Sequence, residues 1–389
     1  MKYNPYLEFL SYCLNDTQEL PDSVKNIDWK TMMTWAERQS IVGIIFAGIQ
    51  KADKALKIPF DVLMEWIGSA NLIENRNKLL NSRCVEVVDY FKEKGFESCI
   101  LKGQGNAAMY SNPMLRMPGD IDLWVMSGER LRFNGSRFNV MEVIRFVKGI
   151  NPKGRAEYHH IDFGEFKGVE VEAHYRPTFM NNLIKNRRLQ RWMIEYADEQ
   201  FGNQITLTNQ DGRIPVPTWE FNVVFQLSPI YRHVIQNGVG FRQIIDYFYL
   251  LRSEDKLTIL RPEGLSVACN DNGQLTILLR HLGLYKIAGA MMWMLNEVLG
   301  LPEEYLIAPK DEKRGRVLLA EIMKGGNFGH YDAENQKANN AIKKNIQRLK
   351  RDVRMVRYFP SECLWEPVFR VYHYFWRSIY GSRSMVKGE

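Results

Sequence analysis

Residues 119–125 read Gly119-Asp120-Ile121-Asp122-Leu123-Trp124-Val125. Two aspartates stand one residue apart in an otherwise apolar run. Side chains alternate faces along a strand, so Asp120 and Asp122 are expected to point the same way. Ile121, Leu123 and Val125 mark a core strand, in which two neighbouring carboxylates repel each other and resist burial. A divalent cation between them removes the conflict, and oxygen ligands of this kind suit Mg²⁺. The plainer reading is a polar strand end whose carboxylates cap nearby helices.

Upstream, an apolar run from Phe96 to Leu101 leads into Lys102-Gly103-Gln104-Gly105, a glycine-bearing turn. Downstream, Val169-Glu170-Val171-Glu172-Ala173-His174 puts Glu170, Glu172 and His174 on one strand face. Glycine turn, Asp-x-Asp strand and acidic strand together point to metal-assisted phosphoryl or nucleotidyl transfer. Two cations held roughly 3.5–4 Å apart need several carboxylates. A two-residue step moves a carboxylate by roughly 7 Å at about 3.3 Å per residue, so only one of Glu170 and Glu172 can ligate.

These motifs resemble the nucleotidyltransferase superfamily of DNA polymerase beta, CCA-adding enzymes and aminoglycoside nucleotidyltransferases. The likeness is closer to its bacterial "uncharacterised nucleotidyltransferase" branch. The matching residues are Leu101-Lys102-Gly103, Tyr110, Arg116, Gly119 to Val125, Val171-Glu172-Ala173-His174 and, further on, Gly240-Phe241-Arg242-Gln243-Ile244-Ile245-Asp246. The strongest motifs cover residues 100–176. The resemblance implies an NTP as substrate, two Mg²⁺ ions (Mn²⁺ as a substitute) on Asp120, Asp122 and Glu172, and an acceptor it does not name. It selects Glu172 over Glu170 as third ligand, from its place before Ala173-His174. Glu170, His160 and His174 are then candidates to support the ligands from behind; His174 should border the site there or as an acceptor contact, and Glu170 should lie nearer the hairpin end and solvent.

Around that core, Lys102, Gly103, Gln104 and Arg116 are the candidate nucleotide-binding residues. Glycine lets backbone approach a triphosphate closely. Relatives carry Ser after this glycine; Gln104 replaces the hydroxyl with an amide or with nothing. Lys102 is either a phosphate counter-charge or a solvated lysine. Arg116 either reaches phosphate or fixes the aspartate loop by a salt bridge. Tyr110 reads as a packing residue before a base-stacking one. His159, His160 and His174 lack any zinc spacing. Arg242 and Asp246, one helical turn apart, read as an internal ion pair, with His233 nearby. Gly325-Gly326-Asn327-Phe328-Gly329 lacks the Lys-Ser/Thr of a P-loop and reads as a connection.

The fold class expected is α+β: a small mixed nucleotidyltransferase-like sheet with helices, flanked by N-terminal helices and a larger C-terminal helical domain. Residues 1–95 read as helices buttressing the sheet, 96–177 as the catalytic core, and 178–389 as helical. Strands are expected at 96–102, 120–126, 157–163 and 169–175, with a hairpin turn over Gly164–Gly168 and a helix from Ser136 to Val147. Helices are expected at 184–198, 218–235, 240–252, 274–282, 284–299, 312–324 and 335–357. Thr206 to Pro217 reads as a loop or short hairpin. The tail from Trp365 to Tyr380 mixes aromatics and arginines. It reads as a packing helix with snorkelling arginines before it reads as a nucleic-acid surface.

A chain of 389 residues with formal charge +7 is long enough for two or three domains and only mildly basic, which selects no partner by itself. Five dispersed cysteines without a Cys-x-x-Cys pair read as reduced thiols. The longest apolar stretches, Ile41 to Ile49 and Ile287 to Leu295, fall well short of the roughly 20 residues of a membrane span. A cytoplasmic protein with no membrane partner is expected. Its acceptor is a small molecule or protein before it is RNA. The alternative from another class is a nucleotide- or partner-binding module that keeps the fold without turnover, which Gln104 after Gly103 motivates.

Overall fold

A computed structural model describes residues 4–16, 19–127, 136–236, 238–253, 272–326 and 341–381. Helices α1 (Pro5–Leu14), α2 (Trp29–Gln39), α3 (Val42–Ala52) and α4 (Phe60–Glu93) precede the sheet. On α4 the buried side chains Trp66, Ala70, Ile73, Asn77, Leu80, Cys84, Val87 and Phe91 recur at steps of three and four, one stripe along a helix. Gly95, at φ +81°, turns the chain out of α4 into the sheet.

Strands β1 (Phe96–Ile100), β2 (Ile121–Ser127), β3 (His160–Phe166) and β4 (Val169–His174) form one mixed sheet in the order β1-β2-β4-β3. β1 runs antiparallel to β2, β2 parallel to β4, and β4 antiparallel to β3. A short turn of helix, α5 (Gln104–Ala107), follows β1, and α6 (Ser136–Ile150) lies in the crossover from β2 and packs on β2 and β3. The strand period divides the two faces. Ile121, Leu123 and Val125 bury with Val143 and Val147 of α6 and with Val87 and Phe91 of α4. Asp122, Trp124 and Met126 lie on the other face, where Trp124 stacks on Phe221 at 5.6 Å and meets Phe201 at 5.0 Å. That face is therefore sealed by aromatics beyond Trp124 and open at its aspartate end.

The hairpin differs from the expected one. β3 runs on to Phe166, and the turn is the two-residue Lys167-Gly168, both at positive φ (49° and 88°), as a tight hairpin requires. Gly164, at φ +93°, sits where the β3–β4 register shifts after Asp162, so this glycine serves a bulge and not the turn.

The remaining chain is mostly helical: α7 (Leu183–Glu195), α8 (Ala197–Gly202), then a small hairpin of β5 (Gln204–Thr206) and β6 (Arg213–Pro215). After it come α9 (Trp219–Gln236), α10 (Phe241–Arg252), α11 (Asn272–Leu282), α12 (Tyr285–Glu297), α13 (Glu312–Gly325), α14 (Ala341–Met355) and α15 (Pro360–Tyr380). The expected helix at 184–198 is thus broken into α7 and α8. Of the helix expected at 335–357, residues 335–340 lie outside the described residues, as do Asn327, Phe328 and Gly329 of the glycine-rich connection. The whole is an α+β fold with a small mixed sheet among many helices. Among the described residues no helix is long and apolar enough to cross a membrane.

Helix α15 is pinned where β4 leads into α7. Glu362, 1 % exposed, accepts backbone N–H bonds from Asn181 at 2.6 Å and Asn182 at 3.4 Å. Phe369 of α15 stacks on Phe179 at 4.7 Å. Burial pushes the Glu362 carboxyl up to about 7, against the pull of those two N–H groups. A folded-state pKa above the unfolded value means that protonation favours the folded state. The stabilising contribution is present at acid pH and is lost as pH rises through about 7. Asp352, which burial and then Glu366 also push up to about 7, adds to the same slope. Between pH 5 and 8 these two carboxyls make the denaturation free energy fall, while the buried imidazoles of His159 and His233, held well below their ordinary value by burial, act the other way. Glu362→Gln should remove about 3 kcal/mol of that fall, read from urea midpoints at each pH. Equal slopes in wild type and variant would contradict this.

Candidate active site

The parallel pairing of β2 with β4 sets Asp122 directly opposite Glu172 and Trp124 opposite His174. Asp122, Glu172 and His174 share the open face, and their ligand atoms all lie within 4.8 Å of one another. His174 is expected behind the ligands but lies between them. Its Nε2 is 3.0 Å from Asp122 Oδ1 and 3.3 Å from Glu172 Oε2, although neither contact has hydrogen-bond geometry. His160 Nδ1 lies 3.5 Å from Glu172 Oε2, and His159 meets His174 edge-on at 5.2 Å.

The charges in this cluster show what it lacks. Burial works to lower the His174 imidazole, yet contact with Asp122 and Glu172 outweighs it and holds the ring above its ordinary value. Burial works to raise Asp122, yet Lys102 and His174 hold it well below the carboxylate range. Glu172 is likewise held down, against burial, chiefly by His174. Asp120 stands one residue ahead of β2, exposed at the mouth, and outside that 4.8 Å group. Its pKa is raised first by Asp122, then by burial, then by Glu172. The group is short of positive charge, which is why contact with it favours a proton on His174. Two carboxylates and an imidazole, with a buried ring nitrogen left without a directed partner, fit a divalent cation; the imidazole suits Mn²⁺ as well as Mg²⁺.

These residues floor a cavity of about 550 Å³. Lys102 and Gly103 edge it on the β1 side, and Lys102 Nζ is 3.4 Å from Asp122 Oδ1. Gly103 holds φ +59°, ψ −112°, a conformation L side chains rarely adopt. Helix α9 contributes Gln226, Ile230, Arg232, His233 and Gln236, and α10 contributes Arg242, Gln243 and Asp246. The roof is α14 with Arg348 and α15 with Glu366, Phe369, Arg370, His373 and Arg377. A second cavity, of about 310 Å³ behind Trp124, has no carboxylate in its lining.

Gln104 and Arg242 sit otherwise than expected, whereas Arg116, Tyr110 and Glu170 take a place that the sequence left open to them. Gln104 turns away from the cavity: its amide is buried and donates to Asn81 of α4, so its side chain is not placed to meet phosphate. Arg116 pairs with Asp246 through Nε at 2.7 Å and Nη2 at 2.8 Å, in the place expected for Arg242. Tyr110 donates its hydroxyl to Asp246 at 2.6 Å and packs on Tyr249 at 4.2 Å, which fits the packing role. Arg242 instead donates to Pro118 O at 3.4 Å, just before Gly119. Glu170 is exposed, opposite Glu165 near the hairpin end, and does not line the cavity. Arg370 and Arg377 do not only snorkel: they line the cavity, with Arg370 on Glu366 and Arg377 on Glu157 at 3.3 Å.

Asn77, Arg232 and the roof arginines shape the cavity and escape sequence reading. Asn77, the polar member of the α4 stripe, donates to Met114 O at 2.7 Å and Arg116 O at 2.8 Å, and so holds the loop entering β2. A polar residue interrupting a regular apolar stripe is the signal that could have found it. Arg232 and the roof arginines carry no local signal, because they meet the site only through tertiary packing.

With this geometry in hand, the chain is matched over residues 25–300 by the model of the family described as uncharacterised nucleotidyltransferase, and it belongs to that family. Neither a curated protein nor a solved structure matches it. The matched span holds the floor and the α9–α10 wall of the cavity; the roof helices lie beyond it.

The Arg116–Asp246 pair is fully buried and ties the β2 loop to α10. Asp246→Ala leaves a guanidinium and the Tyr110 hydroxyl buried without their acceptor. It should destabilise the protein by about 3–5 kcal/mol, read as a lowered urea midpoint. A loss below about 1 kcal/mol, the size of an exposed pair, would contradict this placement.

Proposed function

We propose that the chain is a divalent-metal-dependent nucleotidyltransferase that moves NMP from an NTP to an acceptor. The observation that carries this reading is the convergence of Asp122, Glu172 and His174 at the floor of a cavity edged by Lys102 and the Gly103 turn. Asp122 and Glu172, joined by Asp120 from the rim, are the carboxylates that would hold Mg²⁺ or Mn²⁺. When bound, the cations would lower the pKa of the attacking group and neutralise charge on the phosphoryl in flight.

The chain's own residues do the rest. Gly103 leaves room for phosphate oxygens beside its backbone, and Lys102 brings a cation to the β1 side for the departing pyrophosphate. The acceptor oxygen bonds to the α-phosphorus, the bond to the bridging oxygen breaks, and the acceptor's proton is released. His174 holds Asp122 and Glu172 together from their own face, and the aromatic stack at Trp124 bounds the charged group on that side. Asn77 and Arg116 fix the loop that delivers Asp120.

One observation favours a second reading, a binding module without turnover. Gln104 is spent on Asn81, so neither a hydroxyl nor an amide side chain follows Gly103 into the cavity.

Isothermal titration with each NTP, with and without Mg²⁺ or Mn²⁺, should show metal-dependent binding. Asp122→Asn should weaken it by about 100-fold or more, since even groups behind a metal ligand are worth about 10- to 100-fold. Absence of NTP binding to the wild type would overturn the assignment. Labelled NTP incubated with cell lysate should give pyrophosphate and a labelled acceptor, both lost in Asp122→Asn. Binding without any transfer would select the module reading.

A further inference from the structure

Arg232 lies on the α9 wall, and its side chain is buried, with 8 % exposure. Among the described residues it has neither a salt bridge nor a hydrogen bond. Its guanidinium carbon lies 4.1 Å from the centre of the Phe179 ring. Arg116, lining the same cavity, shows the contrast, with both arms of its fork taken by Asp246. A buried guanidinium without an anion is costly, and its planar fork matches a phosphate or carboxylate. Burial pulls Arg232 down to about 10, and the carboxylates of Glu172 and then Asp122 act against that fall. They do not pair with it; they lie across a gap.

The position of that gap indicates which part of a reacting pair it receives. Phe179 follows β4 and packs on His159 at 5.0 Å and on Phe369 of the roof at 4.7 Å. Arg232 therefore stands at the β4–β3 side, beneath α15. Lys102 and Gly103 stand at the β1 side, and its ammonium lies 6.0 Å from the ring of Phe225 on the same α9. From Phe225 to Arg232 the helix advances about 10 Å, two turns along one face. The carboxylates lie between the two cations. In phosphoryl transfer the attacking and leaving oxygens are in line, so a group on the side away from the departing pyrophosphate belongs to the acceptor.

We propose that Arg232, backed by Phe179 beneath the roof helix, anchors an oxyanion of the acceptor, so that the acceptor is a phosphate- or carboxylate-bearing molecule. This rests on the nucleotidyltransferase reading for the word acceptor, but not for the anion site itself.

The test is titration of inorganic phosphate, and separately of acetate, into protein saturated with Mg²⁺ and a non-hydrolysable NTP, at constant ionic strength. Wild type should bind at least one of the two. Arg232→Gln should weaken that binding tenfold or more while leaving NTP affinity within about twofold, and Arg232→Lys should lose less. Phosphate against acetate then tells which oxyanion the site prefers. Three results would overturn the proposal: neither anion binds the loaded wild type; Arg232→Gln and Arg232→Lys both bind as well as wild type; or NTP affinity falls as much as anion affinity, which would assign Arg232 to the triphosphate. If no NTP binds the wild type, the functional reading fails separately. The same anion titration on unloaded protein then decides the anchor alone. If Arg232→Gln does not fold, Arg232→Lys carries the comparison, with a loss of severalfold expected and no loss counting against the anchor.

Discussion

The parallel pairing of β2 with β4 forces Asp122 and Glu172 side by side, and the rest of the cavity can be understood as a response to that repulsion. Adjacent strands are about 4.8 Å apart, so residues opposite each other on one face cannot avoid each other's charge. His174 enters the gap, and the two carboxylates hold its pKa above the ordinary value against the effect of burial. Lys102 closes in from β1. The aromatics at Trp124 confine the charged group to one end of the face, where burial strengthens every interaction within it. Two facing carboxylates are costly to bury, and the side chains gathered here fit a divalent cation that would complete the compensation begun by Lys102 and His174.

Around that group the polar contacts divide into those already satisfied and those that are not. Arg116, Asp246 and Tyr110 close on one another and serve only to tie the β2 loop to α10. Asn77 holds the same loop from α4. Glu157 takes His373 at 3.0 Å and Arg377 at 3.3 Å, which locks the roof to the sheet. These links fix geometry because each member has its partner. Among the described residues that line the cavity, Arg232 makes no such link, and the ring nitrogens of His174, between the two carboxylates, have no directed hydrogen bond.

Features decided by local period were legible in the sequence. The β2 and β4 strands follow from alternation, and so does the placement of Glu170 and Glu172 on one face two residues apart. The α4 stripe follows from steps of three and four. What the sequence left hidden depends on distant partners. Arg242, one helical turn from Asp246, read as its partner, because nothing local shows that Arg116, on a distant loop, reaches it instead. Gln104 read as facing the turn because nothing local shows that Asn81, on another helix, lies within reach. Gly164 and Gly168 looked like the two ends of one turn, since a bulge and a turn both require positive φ. Asp120 read as a strand residue, but β2 starts one residue later and leaves it at the rim.

The roof shows the same limit from the other side. The arginines of α15 read as snorkelling from a packing helix, and spacing alone could not have placed them over a cavity floored some 200 residues earlier in the chain. Floor and roof are also separate in their support. The floor is set by strand register, whereas α15 is docked by Glu362 on the Asn181–Asn182 backbone and by Phe369 on Phe179. Phe179 serves both parts, because it backs Arg232 on one side and bears the roof on the other. A change in the roof thus reaches Arg232 through Phe179 and through the packing of α14 and α15 on α9, while the Asp122–Glu172 pairing, held by backbone hydrogen bonds, stays as it is. Within one chain, the carboxylate group proposed for the chemistry and the wall proposed to face the acceptor therefore rest on different supports, strand register for the one and helix packing for the other.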